Sequence, residues 1–223
     1  MIPLKTDNLR HSIAAFNGLL ILLNVVVFIY ELSLPARQGQ ALVFVFGLTP
    51  AQLQLFFSGQ GVTLGQAFLP MLTSMFLHGG WMHLLGNMLF LWVFGGSVEE
   101  ALGHFIYPAF YLVCGLGAAL VHIVFNWGSH IPTVGASGAI SGIMGAFIVL
   151  FPRARVTTLI PALLLIFTVQ IPAVLMLGYW FFLQIFSGVA SLGVSNQGGV
   201  AWWAHVGGFL LGAFLAAGAR QRR

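Results

Sequence analysis

Long apolar runs constrain this 223-residue chain more than any other feature of its sequence. A helix that crosses a bilayer needs about 20 mostly apolar residues, and six windows in the chain qualify. They are Ser12–Leu34, Trp81–Val98, Phe105–Phe125, Val134–Phe151, one window within Val156–Phe186, and Val200–Ala217. Only 5% of the residues are charged, whereas a soluble domain carries roughly a quarter. The sequence therefore predicts an all-α, polytopic membrane protein and excludes a soluble domain, a coiled coil and a disordered chain.

The fifth apolar run is predicted to contain one span, because it is too short for two and prolines interrupt it. The run contains Pro161 and Pro172, and two spans of at least ~17 residues with a turn between them would not fit. We expect its helix to begin near Pro172 and residues 156–170 to lie partly along the membrane surface. Residues 35–80, between the first two spans, are broken by Gly, Pro and Gln, which predicts a partly embedded outer loop with short interfacial helices.

The basic residues predict which side of the membrane each terminus occupies. With six spans and a cytoplasmic N-terminus, every Lys and Arg except Arg37 falls on the cytoplasmic side. Cytoplasmic loops carry the excess of positive residues, so the pattern favours an N-in, C-in bundle. The predicted organisation is a cytoplasmic tail over 1–11, a membrane domain over 12–217 and a basic cytoplasmic tail over 218–223. The net charge of +4 follows from this topology and does not indicate a nucleic-acid partner.

Four polar side chains lie at similar depth in the even-numbered spans. His83 and Asn87 come early in the second span, Ser137 early in the fourth and His205 early in the sixth. At ~1.5 Å of rise per residue, each lies roughly 3–10 Å below the start of its helix. Polar groups are costly in hydrocarbon, so these four are candidates for function. No carboxylate lies in the outer half of the same spans.

Small residues flank the serine and one of the histidines. Gly138 and Gly142 form a GxxxG pattern beside Ser137, and Gly208 follows His205 by one turn on the same helical face. Small residues let two helices approach closely in lipid. A serine hydroxyl needs such an approach to reach an imidazole at about 2.6–3.2 Å. The pattern is compatible with plain helix packing, but its position on two helices that enter from the same face favours a nucleophile and its base.

Three ordered motifs resemble those of the rhomboid family of intramembrane serine proteases. They are His83-Leu-Leu-Gly-Asn87, Gly135-Ala-Ser-Gly138 and Ala204-His-Val-Gly-Gly208. The similarity covers spans two to six and implies a six-helix rhomboid-like bundle. It implies that Ser137 is the nucleophile and that His205 is the general base and later the general acid.

The resemblance also implies supporting roles and a class of substrate. His83 and Asn87 would donate hydrogen bonds to the oxyanion, and the glycines of the motifs, Gly135, Gly138 and Gly208, would allow close packing. The family's substrates are single-span membrane proteins, cut near the outer face of the bilayer. The short tails and minimal core suit a bacterial inner membrane, and the sequence carries no indication of the oligomeric state.

The chemistry of these residues is consistent with the resemblance. A neutral imidazole at His205 can take the Ser137 proton during attack and return it to the leaving amine. Most serine hydrolases add an acid that orients the histidine. Because the chain has no acid at this depth, we predict a Ser–His dyad that needs neither a metal nor another cofactor.

Two positions depart from the family's pattern, and one polar segment suggests a lid. Many members carry a tyrosine that stacks on the histidine at the position of Ser141, and the Trp-Arg pair that some members show in the first outer loop is absent around Arg37.

The polar segment Ser187–Gly199 precedes the sixth span. We expect this segment to cap the site and to move when substrate enters.

Three other functions compete with proteolysis. The first is a catalytically silent member of the same fold that binds or escorts transmembrane helices, although both Ser137 and His205 are present. The second is a haem or quinone protein, but no span carries a convincing pair of axial histidines. The third is a metalloprotease or transporter, yet the chain lacks the HExxH pattern and its spans hold few acidic ion ligands.

Overall fold

Helices make up most of the chain in the computed structural model, which describes residues 2–8, 13–162, 165–192 and 200–220. In chain order the elements are β1 (Ile2–Thr6), α1 (Ala15–Ser33), α2 (Ala36–Phe46), α3 (Pro50–Phe57), α4 (Leu64–Thr73), a 3₁₀ turn (Ser74–Phe76), α5 (Trp81–Phe90), a π-helical segment (Leu91–Gly95), α6 (Gly96–Leu102), α7 (Ile106–Phe125), α8 (Ser137–Leu150), β2 (Arg155–Ala162), β3 (Leu165–Pro172), α9 (Ala173–Ser191) and α10 (Trp202–Arg220). The elements α5 and α6 join through the π-helical segment into one continuous rod.

Within the described residues, five helices are long and apolar enough to cross a membrane: α1, the α5–α6 rod, α7, α9 and α10. They correspond to five of the six predicted windows, and α9 begins directly after Pro172, as expected. The protein is therefore an integral membrane protein built as a helical bundle. The predicted outer segment over residues 35–80 contains the three short helices α2, α3 and α4.

The window Val134–Phe151 forms a shorter helix than the other five. Helix α8 has 14 residues, which at ~1.5 Å per residue covers about 21 Å of a hydrocarbon core that is about 30 Å thick. Every residue from Gly138 to Phe147 is buried. The helix therefore lies in the centre of the bundle, where its neighbours and not lipid surround it.

A small sheet adds strands to the predicted all-α fold. Strand β1 pairs antiparallel with β2, and β2 pairs antiparallel with β3. The surface segment expected over residues 156–170 is thus a hairpin, and part of the predicted N-terminal tail is its third strand. Residues 155–162 and 165–172 are rich in Val, Ile and Thr, which favour extended backbone, whereas hydropathy alone does not separate a strand from a helix.

The sheet also places helix ends relative to one another. Strand β1 precedes α1 and strand β2 follows α8, so their pairing brings the start of α1 and the end of α8 to the same end of the bundle. The opposite end then holds the starts of α5, α8 and α10. This agrees with the predicted alternation of the spans.

Glycines bring α8 and α10 into backbone contact. A Cβ atom added at Gly208 would overlap the carbonyl oxygen of Gly138, and one added at Gly212 would overlap the carbonyl oxygen of Gly142. Gly145 is in the same position against the backbone of Phe209. Any side chain at these positions would push the two helices apart, so the close approach predicted from the small residues is confirmed.

We expect Gly212→Ala to destabilise the fold, because its methyl group must displace the α8 backbone and overpacking a core costs typically about 1–3 kcal/mol. Gly218→Ala is the matched control on the same helix, since a Cβ there meets nothing within 4 Å. Thermal unfolding in detergent, followed by helical circular dichroism, should give a lower midpoint for Gly212→Ala only. Equal midpoints for the two variants would show that α8 and α10 do not pack this closely.

Candidate active site

The serine and histidine that the sequence analysis selected lie in hydrogen-bond contact. Ser137 is the first residue of α8, and His205 lies in the first turn of α10. The distance from Ser137 Oγ to His205 Nε2 is 2.8 Å, and His205 is buried. The contact lies at the end of the bundle where both helices begin, directly above the backbone contact between Gly138 and Gly208. This is the geometry of a nucleophile and its general base.

The other ring nitrogen of His205 has a partner that the sequence analysis did not select. Gln184 Oε1 in α9 lies 2.8 Å from His205 Nδ1. The Gln184 Nε2 amide donates to the backbone carbonyl of Trp180 at 3.1 Å, and the side chain is only 5% exposed. One signal in the sequence could have found it, since Gln184 is an uncharged polar residue inside an apolar span.

Aromatic rings flank the histidine on the side of α9 and at the start of α10. The Trp180 ring centroid lies 5.7 Å from that of His205, and the Trp202 ring approaches edge-on at 6.4 Å. Ser141, which stands where many family members carry a stacking tyrosine, instead donates to the Ser137 carbonyl at 2.6 Å. The aromatic neighbours of the histidine therefore come from α9 and from the start of α10, and not from α8.

The two predicted oxyanion donors face the turn before Ser137. The Gly79 backbone N–H donates to His83 Nδ1 at 3.4 Å, which leaves the ring proton on Nε2. A Cβ atom at Gly135 would lie 2.6 Å from His83 Nε2 and 3.7 Å from Asn87 Nδ2. Both nitrogens therefore point toward the backbone that leads into α8.

The side-chain amide of Asn87 is a buried donor without an acceptor. Among the described residues, none accepts a hydrogen bond from its Nδ2, and the residue is only 8% exposed. The amide N–H group is therefore available to donate a hydrogen bond to an oxygen atom of a bound ligand.

A cavity of about 660 Å³ connects these four residues. Ser137, His205, His83 and Asn87 all line it, together with apolar side chains of α5 and α8 and with Trp180 of α9. The walls are mostly apolar, and these four side chains are among the few polar groups. A cavity of this kind suits an apolar ligand that is oriented by a few polar groups.

Two further residues bear on the electrostatics of the site. His78, before α5, is buried beside the His83 ring at a centroid distance of 5.2 Å. Its burial, with a smaller contribution from His83, lowers the pKa of His78 to about 4, so this ring is neutral near pH 7. The His78 backbone N–H donates to the Glu31 carboxylate, which ties the loop to the end of α1.

Metal ligands are not grouped in the part of the chain that the structure describes. Within residues 2–8, 13–162, 165–192 and 200–220, no three His, Cys, Asp or Glu side chains come together as a metal-binding group. The predicted cap over Ser187–Gly199 lies mostly outside the described residues. Only its first part is described: Ser187–Ser191 belongs to α9, followed by a turn at Leu192.

Comparison with known proteins places the chain in a family. The model of the Rhomboid domain matches residues 65–222, well over half of the chain. The chain belongs to the rhomboid family. The matched region begins within α4 and includes Ser137, His205, His83, Asn87 and Gln184.

Relatives of this rhomboid come from bacteria and from organelles. The Rhomboid protease AarA of Providencia stuartii is 27% identical over 213 residues, which cover 88% of this chain and 69% of the relative. Rhomboid protein 1, mitochondrial, of Saccharomyces cerevisiae is 31% identical over 62% of this chain and 38% of its own length. RHOMBOID-like protein 5 of Arabidopsis thaliana is 36% identical over 35% of this chain and 25% of its own length. The chain thus spans less than two fifths of the length of the yeast and plant relatives.

We expect Gly135→Ala to disturb the site of this rhomboid without unfolding it. Gly135 has a φ of +130°, and the added methyl group must displace His83. Gly103→Ala is the control, because Gly103 also has a positive φ but open space around its Cβ position. The rate of labelling by a fluorophosphonate should fall for Gly135→Ala and stay unchanged for Gly103→Ala. Equal rates in the two variants would contradict the placement of His83 beside this turn.

Proposed function

We propose that this rhomboid is an intramembrane serine endopeptidase that cleaves single-span membrane proteins near the outer face of the bilayer. Ser137 and His205 form its dyad. The observation that carries the proposal is the 2.8 Å contact between Ser137 Oγ and His205 Nε2 inside a cavity open to a ligand. The similarity to a relative named a rhomboid protease over 88% of this chain supports the same reaction.

In the first half of the reaction His205 acts as base and then as acid. Its Nε2 takes the Ser137 proton while Oγ bonds to the carbonyl carbon of the substrate, and the electron pair of the C=O bond moves to the oxygen. The imidazolium then gives its proton to the leaving amine as the C–N bond breaks. The acyl group remains on Ser137, and water activated by His205 releases it in the second half.

The oxyanion that forms in each half of the reaction faces hydrogen-bond donors that are already in position. The first-turn backbone N–H groups of α8 have no intrahelical acceptor, and the positive end of the helix dipole lies there. The Nε2–H of His83 and the Nδ2–H₂ of Asn87 complete the set from α5. Loss of one such donor in other serine hydrolases lowers kcat by about 10²–10³-fold.

The cavity also supports the substrate class. Residues of α5 and Trp180 of α9 both line it, and we infer that a substrate chain enters from the lipid between these two helices. A peptide bond within a helix is shielded by its own hydrogen bonds, so we infer that the cut segment is extended or broken by Gly or Pro near the bilayer surface.

We also propose the cellular setting and the topology. The protein lies in a bacterial inner membrane with both termini in the cytoplasm, with tails over 1–11 and 218–223 and a membrane domain over 12–217. Support comes from the bacterial relative, which matches most of this chain, whereas the yeast mitochondrial relative and the plant relative match shorter parts. The excess of Lys and Arg on one side supports the orientation.

The dyad is tested by reconstituting the full chain with a single-span substrate and a fluorophosphonate probe. Ser137→Ala should abolish labelling, and both Ser137→Ala and His205→Ala should lower cleavage by about 10⁴-fold or more, as in other serine hydrolases. Ser58→Ala and His130→Ala, which lie outside the cavity lining, should keep wild-type rates.

Two results would contradict the proposal. Cleavage that survives in Ser137→Ala would place the nucleophile elsewhere. A wild-type protein that folds and binds the substrate, but is neither labelled nor able to cleave it, would instead be a silent rhomboid that escorts helices.

A further inference from the structure

We propose that Gln184 is the positioning residue of His205, so that a neutral amide takes the place that a carboxylate holds in most serine hydrolases. This inference rests on the proposed function, because it assigns Gln184 a part in the same reaction. It adds a positioning residue from a third helix, α9, to the dyad formed by Ser137 of α8 and His205 of α10.

The hydrogen bonds of Gln184 determine which way its amide faces. Its Nε2 donates to the Trp180 carbonyl at 3.1 Å, and its Oε1 lies 2.8 Å from His205 Nδ1. The flipped amide would set two carbonyl oxygens against each other and lose the bond to Trp180. The oxygen atom therefore faces the histidine.

An amide oxygen only accepts hydrogen bonds, so its contact determines the tautomer of His205. The proton must lie on Nδ1, where it is donated to Gln184 Oε1. Nε2 then carries a free electron pair directed at Ser137 Oγ, 2.8 Å away. A histidine in the other tautomer would present an N–H to Ser137 and could not accept its proton. Gln184 thus holds the base in the form that the reaction needs.

Helix α9 also restricts the orientation of the ring. Trp180 and Gln184 are one helical turn apart, on the face of α9 that packs against α10, and the Trp180 ring lies 5.7 Å from the His205 ring. Gln184 is nearly completely buried, and both ends of its amide are hydrogen-bonded. The side chain can therefore transmit the position of α9 to the imidazole.

The choice of an amide fits a site surrounded by helices and lipid. A carboxylate at this position would have to be moved out of water without a cation beside it, which is costly. An amide controls the same tautomer without that cost. It stabilises the imidazolium less well, so the loss on its removal should be smaller than that of a carboxylate.

The test uses Gln184→Met, which keeps the length of the side chain but removes the acceptor, and Gln184→Glu, which keeps an acceptor oxygen. The ¹⁵N chemical shifts of His205 are measured by solid-state NMR in the full chain in lipid, with His205→Ala used to assign the signals. Cleavage is measured as kcat and KM. These two readouts separate positioning from a structural role, because a structural role does not set the tautomer.

The expected wild-type spectrum shows a protonated Nδ1 and an unprotonated Nε2. Gln184→Met should lose this tautomer preference and lower kcat about 10- to 100-fold with little change in KM. Gln184→Glu should keep the Nδ1 proton and most of the rate.

The inference is wrong if Gln184→Met keeps both the wild-type tautomer and kcat. If Gln184→Met does not fold, the test rests on Gln184→Glu. Loss of the Nδ1 proton of His205 in a folded Gln184→Glu variant would overturn the inference. Failure of the proposed function is distinguishable, because the wild type would then resist the fluorophosphonate whatever its tautomer.

Discussion

The rest of the site depends on the contact between the backbones of α8 and α10. Gly208 and Gly212 of α10 lie against the carbonyl oxygens of Gly138 and Gly142 of α8, with no room for a Cβ atom at either α10 position. Lipid offers little hydrophobic force to hold helices together, so van der Waals contact between close backbones becomes a principal source of stability. The same contact brings a side chain as short as serine within 2.8 Å of an imidazole on the neighbouring helix. The packing of α8 against α10 and the contact between the two side chains thus depend on the same approach of the two helices.

The length of α8 sets the depth of the site. A buried helix of 14 residues does not have to reach either surface of the bilayer, because the residues before it connect through a loop packed among its neighbours. Its first turn, with Ser137, lies beside His83 and Asn87 of α5 at the cavity of about 660 Å³. A polar site is thereby enclosed within a mostly apolar bundle, and the longer helices around it are the ones long enough to cross a membrane.

The sequence predicted the helices and the Ser137–His205 pair because both depend on local signals. Apolar length identifies spanning helices, and their alternating direction brings the starts of the even-numbered spans to one end. The hairpin of β2 and β3 was missed because hydropathy does not distinguish strand from helix in a run rich in Val, Ile and Thr. Gln184 was missed for two reasons. The group that orients a histidine was expected to be an acid, and the contact between Gln184 and His205 depends on how α9 is rotated against α10. That rotation follows from tertiary packing, and the residue spacing within α9 does not determine it.

The most direct measurement of the central claim is the site of attachment of a peptidyl chloromethyl ketone, read by mass spectrometry of the digested protein. Addition of a serine oxygen to the carbonyl carbon of this reagent holds its chloromethyl carbon beside a neighbouring imidazole, so alkylation is fastest at a histidine that meets a reactive serine. The account predicts alkylation of His205 in the wild type and none in Ser137→Ala. Alkylation at another histidine, or an equal yield of the His205 adduct in Ser137→Ala, would contradict it.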